Sequence, residues 1–194
     1  MDDGPNALSP AIFDQHPAVV AEALIGTTLL VSGVGGIIVE TEAYDAGDSA
    51  SHSYRGPTVR NAAMFGPPAC AYVYRIYGLH WCLNVTCGAP GGAVLIRALE
   101  PTRNIDDMIA RRHMSNPRLL CAGPGRLAQA LGVDGSLNGA SLYRPPFALI
   151  AGDRPAVQSG PRIGISTGVD TPWRFVSVTS PYLSRPAGAA RTGS

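Results

Sequence analysis

The chain has 194 residues, 15 basic and 14 acidic side chains, and a formal net charge of +1. This length suits one compact domain with a sizeable core, and 45% hydrophobic with 15% charged residues excludes a charged, disordered tail protein. All 15 basic residues are arginine and none is lysine, which excludes phosphate-binding loops ending in Gly-Lys-Ser/Thr, pyridoxal phosphate bound through lysine, and lysine Schiff-base catalysis.

The first third of the chain predicts a helix, two strands and a long loop. Proline at the first helical position and glycine just past the end bracket a helix over residues 17–25. Strands over residues 27–31 and 36–44 follow, and the glycine-rich turn between them predicts a hairpin. Residues 45–68 are polar and contain several glycines and prolines, which predicts a long loop with a helical turn near residues 61–65. Loops of this length in compact domains are usually functional.

The middle of the chain predicts three more strands. Aromatic and β-branched residues indicate strands over residues 71–77 and 81–86. The glycine between these two strands predicts a protruding β-hairpin. A further strand covers residues 93–99, and Pro101 is expected to end it.

The C-terminal part predicts two helices, two strands and a tail. Helices are expected over residues 103–113 and 126–131, and strands near residues 162–165 and 175–178. Residues 185–194 carry small, polar and basic side chains, which predicts a disordered tail.

Strands and helices do not alternate regularly along the chain, and no internal repeat is visible. A regular alternation would favour a parallel sheet with crossover helices. We therefore predict an α+β fold: a single domain over residues 1–184, with a curved antiparallel sheet surrounded by helices.

Cysteine and histidine spacing predicts neither a metal site nor a cofactor. The four cysteines include no C-x-x-C pair, and the four histidines have no usual ligand spacing. Reduced, buried thiols are typical of intracellular proteins. The first residues lack the basic and apolar regions of a signal peptide, and no apolar run reaches the roughly 20 residues that a membrane helix needs. We expect a cytoplasmic protein that binds no membrane.

The second predicted strand carries two carboxylates. The period of two along a strand places Glu40, Glu42 and Tyr44 on one face. Next to a long loop, these groups could supply a general base and an aromatic platform. The alternative is a solvated sheet face, and this segment alone favours that alternative.

Aromatic residues cluster in the predicted hairpin. Tyr72 and Tyr74 share one strand face, and Tyr77 lies beside the turn at Gly78. Core packing accounts for Tyr72 and Trp81. Core burial cannot account for Tyr77, because a hairpin tip faces no core.

A series of short blocks extends through almost the whole chain, from about residue 10 to residue 184. The blocks are Glu40-Thr41-Glu42-Ala43-Tyr44, His52-Ser53, Arg60-Asn61, Met64-Phe65, and residues 72–84, 94–101, 123–132, 162–165 and 173–175. In this order and at this spacing, the sequence closely resembles the alkyladenine (3-methyladenine) DNA glycosylases, as a bacterial member. The resemblance implies a monofunctional enzyme that flips alkylated or deaminated purines (3-methyladenine, hypoxanthine, ethenoadenine) out of duplex DNA. A glutamate-activated water would then hydrolyse the N-glycosidic bond, which starts base excision repair.

The resemblance also implies a role for each matching residue. Glu42 would be the general base, and Arg97 would help to hold the water and the carboxylate. Two further sets of residues would form the base pocket and the wedge that fills the gap in the duplex. By this resemblance the pocket residues would be Tyr44, His52, Tyr74 and Asn84, of which Asn84 would disfavour guanine, and the wedge would be Tyr77.

Net charge +1 is low for a protein that binds DNA, so the distribution of arginines matters more than their sum. Arg55, Arg60, Arg75 and Arg103 flank the predicted site and are candidates for phosphate contacts. Exposed solubilising arginines are an equal alternative for any one of them. We expect a monomer whose partner is double-stranded DNA containing damaged purines.

Two functions of other classes remain open. A nucleosidase acting on free purine nucleosides would need neither a wedge nor phosphate contacts. A non-enzymatic lesion sensor would need no activated water, and the presence of Glu42 and Arg97 argues against it. The missing lysine amine favours simple hydrolysis without strand cleavage.

Overall fold

The computed structural model describes residues 8–188, and eight antiparallel strands form one sheet in this part of the chain. The strands are β1 (Thr28–Val31), β2 (Val34–Tyr44), β3 (Ala71–Ile76), β4 (His80–Thr86), β5 (Ala93–Arg103), β6 (Phe147–Ile150), β7 (Val157–Gly160) and β8 (Arg174–Ser177). The α-helices are α1 (Pro17–Ala23), α2 (Ile105–Arg112), α3 (Pro117–Leu120) and α4 (Pro124–Leu131), and 3-10 helices cover Pro10–Asp14, Ala62–Phe65 and Gly135–Leu137. The predicted single α+β domain with a curved antiparallel sheet is confirmed.

Strand β2 is the centre of the sheet. The strand order is β3-β4-β5-β2-β1-β6, and β8 joins β2 and carries β7 on its other edge. β5 pairs along nearly the whole of β2, whereas β8 pairs only with Glu40, Thr41 and Glu42. The two glutamates therefore lie where β2 has a neighbouring strand on both edges.

The core lies between the sheet and the helices. Helix α4 begins at Pro124 and ends before Gly132, whose φ of +73° suits the C-terminal cap position. Its apolar face buries Leu127 and Leu131, four residues apart, and it contacts β4 and β5. Each such fully buried leucine contributes about 1.5–3 kcal/mol to folding relative to an exposed one.

The structure differs from the prediction in several elements. Residues 162–165 form no strand, and the strand in this region is β7, Val157–Gly160. Pro101 does not end β5, which continues to Arg103. The register shift between Gly35 and Gly36 lies opposite Pro101, and bulges accommodate proline in a sheet. Strand β6 and helix α3 were not predicted.

The long loop after β2 is irregular except for the 3-10 helix Ala62–Phe65, which confirms the predicted helical turn. Buried Asn61 holds the loop together: its Oδ1 accepts from Thr58 N at 2.6 Å, and its Nδ2 donates to the carbonyls of His52 and Gly56 at 2.8 and 3.1 Å. The loop is thus a fixed part of the fold that presents His52 to the sheet.

Residues 189–194, the larger part of the predicted tail at 185–194, lie outside the described residues, and the domain boundary at residue 184 stays a prediction. Within residues 8–188, every helix is too short or too polar to cross a membrane.

Candidate active site

A cavity of about 360 Å³ opens on one face of the sheet, between strands β2 to β5 and the two loops at 45–70 and 161–173. Six of the seven residues predicted for catalysis, base pocket and wedge line it: Tyr44, His52, Tyr74, Tyr77, Asn84 and Arg97. The seventh, Glu42, has no exposed surface and contacts the lining residues Tyr44 and Arg97. The structure thus brings all seven together, although they come from distant parts of the chain.

Strand register explains this convergence. The Cα pairs Glu42–Leu95, Leu95–Asn84 and Asn84–Tyr72 form one row across β2, β5, β4 and β3. Because side chains alternate along a strand, residues two positions away point to the same side as this row. Tyr44, Arg97 and Tyr74 are such neighbours of Glu42, Leu95 and Tyr72.

Both oxygens of the Glu42 carboxylate have hydrogen-bond partners. Oε2 accepts from the Tyr44 hydroxyl at 2.8 Å and from Arg97 Nη1 at 3.3 Å, and Oε1 accepts from the backbone N–H of Ile163 at 2.7 Å. Burial raises the pKa of Tyr44 far above its ordinary value, and the negative charge of Glu42 raises it further. The phenol therefore stays protonated and donates to the carboxylate.

Arg97 bridges two buried carboxylates. Its Nε donates to Glu40 Oε1 at 3.0 Å and its Nη1 to Glu42 Oε2 at 3.3 Å, and both glutamates have no exposed surface. Burial would lower the pKa of Arg97, but the two carboxylates outweigh it and raise that pKa. The alternative of a solvated sheet face is therefore wrong for these residues.

Three aromatic rings form one wall of the cavity. The Tyr72 and Tyr74 rings stack with centroids 5.4 Å apart, and the His52 ring meets Tyr74 edge-on at 4.5 Å. His52 Nδ1 lies 2.9 Å from the Tyr72 hydroxyl. Burial, and secondarily the charge of Arg60, lower the pKa of His52, so its ring is neutral at neutral pH. Tyr72 was interpreted as core alone, but it is both buried and part of the cavity wall.

Arg162 anchors the loop that carries Ile163 and was not among the predicted site residues. It forms a buried ion pair with Asp48, and its Nη1 donates to the Ala43 carbonyl at 2.9 Å. Its guanidinium lies 4.7 Å from the centroid of the Tyr44 ring. These contacts place the next residue, Ile163, where its N–H reaches Glu42. Asp48 gave no signal in the sequence, since it is one of several polar residues of a loop.

The turn between β3 and β4 exposes apolar side chains at the cavity mouth. Tyr77 is 86% exposed and lines the cavity, and Leu79 is 73% exposed. Tyr77 has a φ of +52° and Gly78 a φ of +69°. A positive φ is unusual for tyrosine, and the exposed ring lies at the edge of the cavity.

Two of the four predicted phosphate-contacting arginines lie next to the cavity, whereas Arg75 lines neither cavity and has its guanidinium 4.7 Å from the centroid of the Trp81 ring. Arg55 and Arg60 line a smaller cavity of about 310 Å³ that shares His52 and Tyr72 with the first. Arg60 Nη2 donates to the carbonyl of Arg75 at 2.8 Å.

Arg103 lies elsewhere. It pairs with Gly35 at the far end of β5, eight residues beyond Leu95, which is about 26 Å at 3.3 Å per residue. The structure does not bring Arg103 to the site, and the phosphate contacts of the other three stay a prediction.

Within residues 8–188, the cysteines and the other residue types that bind metals form no metal site. No three His, Cys, Asp or Glu side chains in these residues converge as a metal site would require. All four cysteines are free. Burial raises the pKa of Cys87 and of Cys121 to about 12, so both thiols stay protonated.

Comparison with known proteins finds one family model, described as methylpurine-DNA glycosylase, that matches residues 11–181. A protein of Nitrosospira multiformis is 58% identical over 177 residues, which cover 90% of this chain and 92% of that protein. A protein of Rhizobium meliloti is 53% identical over 174 residues, covering 89% and 94% of the two chains. One of Rhodopseudomonas palustris is 56% identical over 187 residues, covering 93% and 91%. Each is named "Putative 3-methyladenine DNA glycosylase".

Proposed function

This chain belongs to the methylpurine-DNA glycosylase family, and we propose that it excises alkylated and deaminated purines from double-stranded DNA. Membership makes it a hydrolase of N-glycosyl bonds in DNA and a DNA repair protein. The proposed substrates are 3-methyladenine, hypoxanthine and ethenoadenine, and the proposed active form is a monomer. The observation that carries the proposal is a buried carboxylate, Glu42, held directly behind an aromatic cavity on the sheet.

The proposed reaction is hydrolysis by a single activated water. Glu42 takes a proton from the water, the water oxygen bonds to the anomeric carbon of the sugar, and the bond to the base breaks. The electrons of that bond leave with the base. Arg97 and the Tyr44 hydroxyl, both hydrogen-bonded to Glu42 Oε2, orient the carboxylate.

The aromatic wall suits a damaged purine. Alkylation makes the base cationic or a better leaving group, and electron-rich rings attract a cation by about 0.5–2 kcal/mol. His52 is neutral and does not repel it. Asn84 Nδ2 donates to the Tyr72 carbonyl at 3.0 Å, which fixes the amide against the cavity. We propose that this amide occupies the space that the C2 amino group of guanine would need.

Duplexes that each carry one hypoxanthine, ethenoadenine or 3-methyladenine test the proposal. We expect free base and an alkali-labile abasic site from at least one of these duplexes, and none from undamaged DNA. Cleavage of free nucleosides without preference for DNA would instead indicate a nucleosidase, and binding without base release would indicate a lesion sensor.

We predict that Tyr77→Ala impairs base extrusion more than chemistry. Extruding a paired base costs a few kcal/mol, and a side chain that fills the vacated space offsets part of that cost. Single-turnover excision should fall roughly tenfold for a lesion in a stable pair and less for the same lesion opposite a gap. Tyr54→Ala, which removes another exposed tyrosine, should leave the ratio of the two rates unchanged. An equal loss by Tyr77→Ala in both contexts would show that Tyr77 is not a wedge.

We also predict that borohydride traps no covalent complex with lesion DNA, and that strand scission needs alkali, heat or an abasic endonuclease. Trapping requires an amine that forms a Schiff base, and the sequence contains no lysine. A gel-shift assay under denaturing conditions checks this, with a lysine-dependent bifunctional glycosylase as the positive control. Efficient trapping would disprove the monofunctional assignment and point to an N-terminal amine.

A further inference from the structure

A second buried carboxylate, Glu40, lies two residues before Glu42 on β2 and receives four hydrogen bonds. Arg97 Nε and Arg174 Nε donate to its Oε1 at 3.0 and 2.8 Å. Ser184 donates twice, from its hydroxyl to Oε1 at 2.8 Å and from its backbone N–H to Oε2 at 2.6 Å. Burial alone would raise the pKa of Glu40, but the charges of Arg97 and Arg174 and the Ser184 hydrogen bonds lower it. Glu40 is thus an anion at neutral pH.

Of the residues that donate to Glu40, only Arg97 lines the cavity. Glu40 is absent from the cavity lining and has no exposed surface. Arg97 reaches Glu40 with Nε, Glu42 with Nη1 and the Ser184 hydroxyl with Nη2 at 3.3 Å. Because a guanidinium is planar and rigid, contacts on three of its sides fix its orientation.

The segment that carries Ser184 is itself anchored. Arg174 Nη2 donates to the Arg185 carbonyl at 2.6 Å and Nη1 to the Pro186 carbonyl at 3.4 Å. Arg174 is 3% exposed and lies on β8, next to β2. One buried arginine therefore holds both Glu40 and the backbone on the C-terminal side of Ser184.

From these contacts we infer that Ser184 and Glu40 are positioning residues for Arg97, so that residues 184–186 complete the active site although they line no part of the cavity. The inference rests on the proposed role of Arg97 beside Glu42. Catalytic groups must be held within about 0.5 Å of their working geometry by neighbouring hydrogen bonds. Ser184 supplies the hydrogen bond on the side of Arg97 that neither carboxylate covers.

Ser184→Ala tests the inference, because it removes the hydroxyl and leaves the backbone bond to Glu40. We expect the single-turnover rate of base release to fall about five- to tenfold, because the hydroxyl that accepts from Arg97 and donates to Glu40 is lost. Affinity for lesion DNA should stay within twofold, because Ser184 does not line the cavity. Ser184→Thr, which keeps the hydroxyl, should restore most of the rate.

Ser180→Ala is the matched control. Ser180 lies on the same segment, is similarly half-buried, and accepts a hydrogen bond from Tyr182 N but contacts neither Glu40 nor Arg97. A wild-type rate in Ser184→Ala, or an equal loss in Ser180→Ala, would overturn the inference. Failure of the wild-type protein to release any damaged base would instead overturn the proposed function, so the two failures are distinguishable.

Discussion

Replacing Glu42 by glutamine is expected to lower the single-turnover rate of base release by about 10²- to 10⁴-fold, the usual contribution of a general base. Glutamine has nearly the same volume as glutamate, but its amide cannot take a proton from water at neutral pH. Affinity for lesion DNA should therefore remain close to that of the wild type. Excision and binding are measured on the same hypoxanthine duplex.

The free energy of unfolding of Glu42→Gln must be measured as well, because Glu42 accepts three hydrogen bonds. A glutamine has one acceptor oxygen in place of two, so at least one of these donors loses its partner, at a cost of about 1–3 kcal/mol. Glu22→Gln, an exposed substitution on α1, is the matched control and should change neither property. Near-normal excision by a folded Glu42→Gln variant would exclude Glu42 as the base.

Replacing Arg162 by methionine is expected to lower the free energy of unfolding by about 3 kcal/mol or more, since removal of one partner leaves a buried charge uncompensated. The uncompensated charge is that of Asp48, which is 7% exposed. The substitution also removes the cation from the faces of the Tyr44 and Trp173 rings. Urea unfolding at neutral pH measures the change.

Two further variants isolate the ion pair. Arg154→Met removes an exposed arginine and should change the free energy of unfolding by less than about 0.5 kcal/mol. The double variant Arg162→Met, Asp48→Asn should be more stable than Arg162→Met alone, because it also removes the unpaired charge. If the free energy of unfolding of Arg162→Met lies within about 1 kcal/mol of the wild-type value, the ion pair does not stabilise this part of the cavity.

The strand patterns contained part of what was needed to predict the face of the sheet that forms the cavity. The alternation along β2 correctly placed Glu40 and Glu42 on the same side. Alternation does not give register, however, so the row that joins Glu42 to Tyr72 across four strands could be reached only through the family resemblance.

The errors have two physical causes. Tyr72 was interpreted as core because a closed cavity wall and a core face require the same apolar alternation. Residues 162–165 were predicted as a strand, but the N–H of Ile163 bonds to the Glu42 side chain and not to a neighbouring strand. Asp48 lies in a loop, where the sequence has neither helical nor strand periodicity. Side-chain bonds between segments more than 100 residues apart leave no local pattern.

The left-handed backbone at Tyr77 affects how the enzyme would search DNA. The strain of about 1–2 kcal/mol for a non-glycine residue in this conformation is present in the folded protein before any DNA is bound. If Tyr77 is the wedge, no part of that cost is incurred again at each base pair that the enzyme encounters. The ring is already extended, so the dwell time at an undamaged pair would depend on how readily that pair opens. In that case the protein would pass intact pairs quickly and remain longer where damage has weakened the stack.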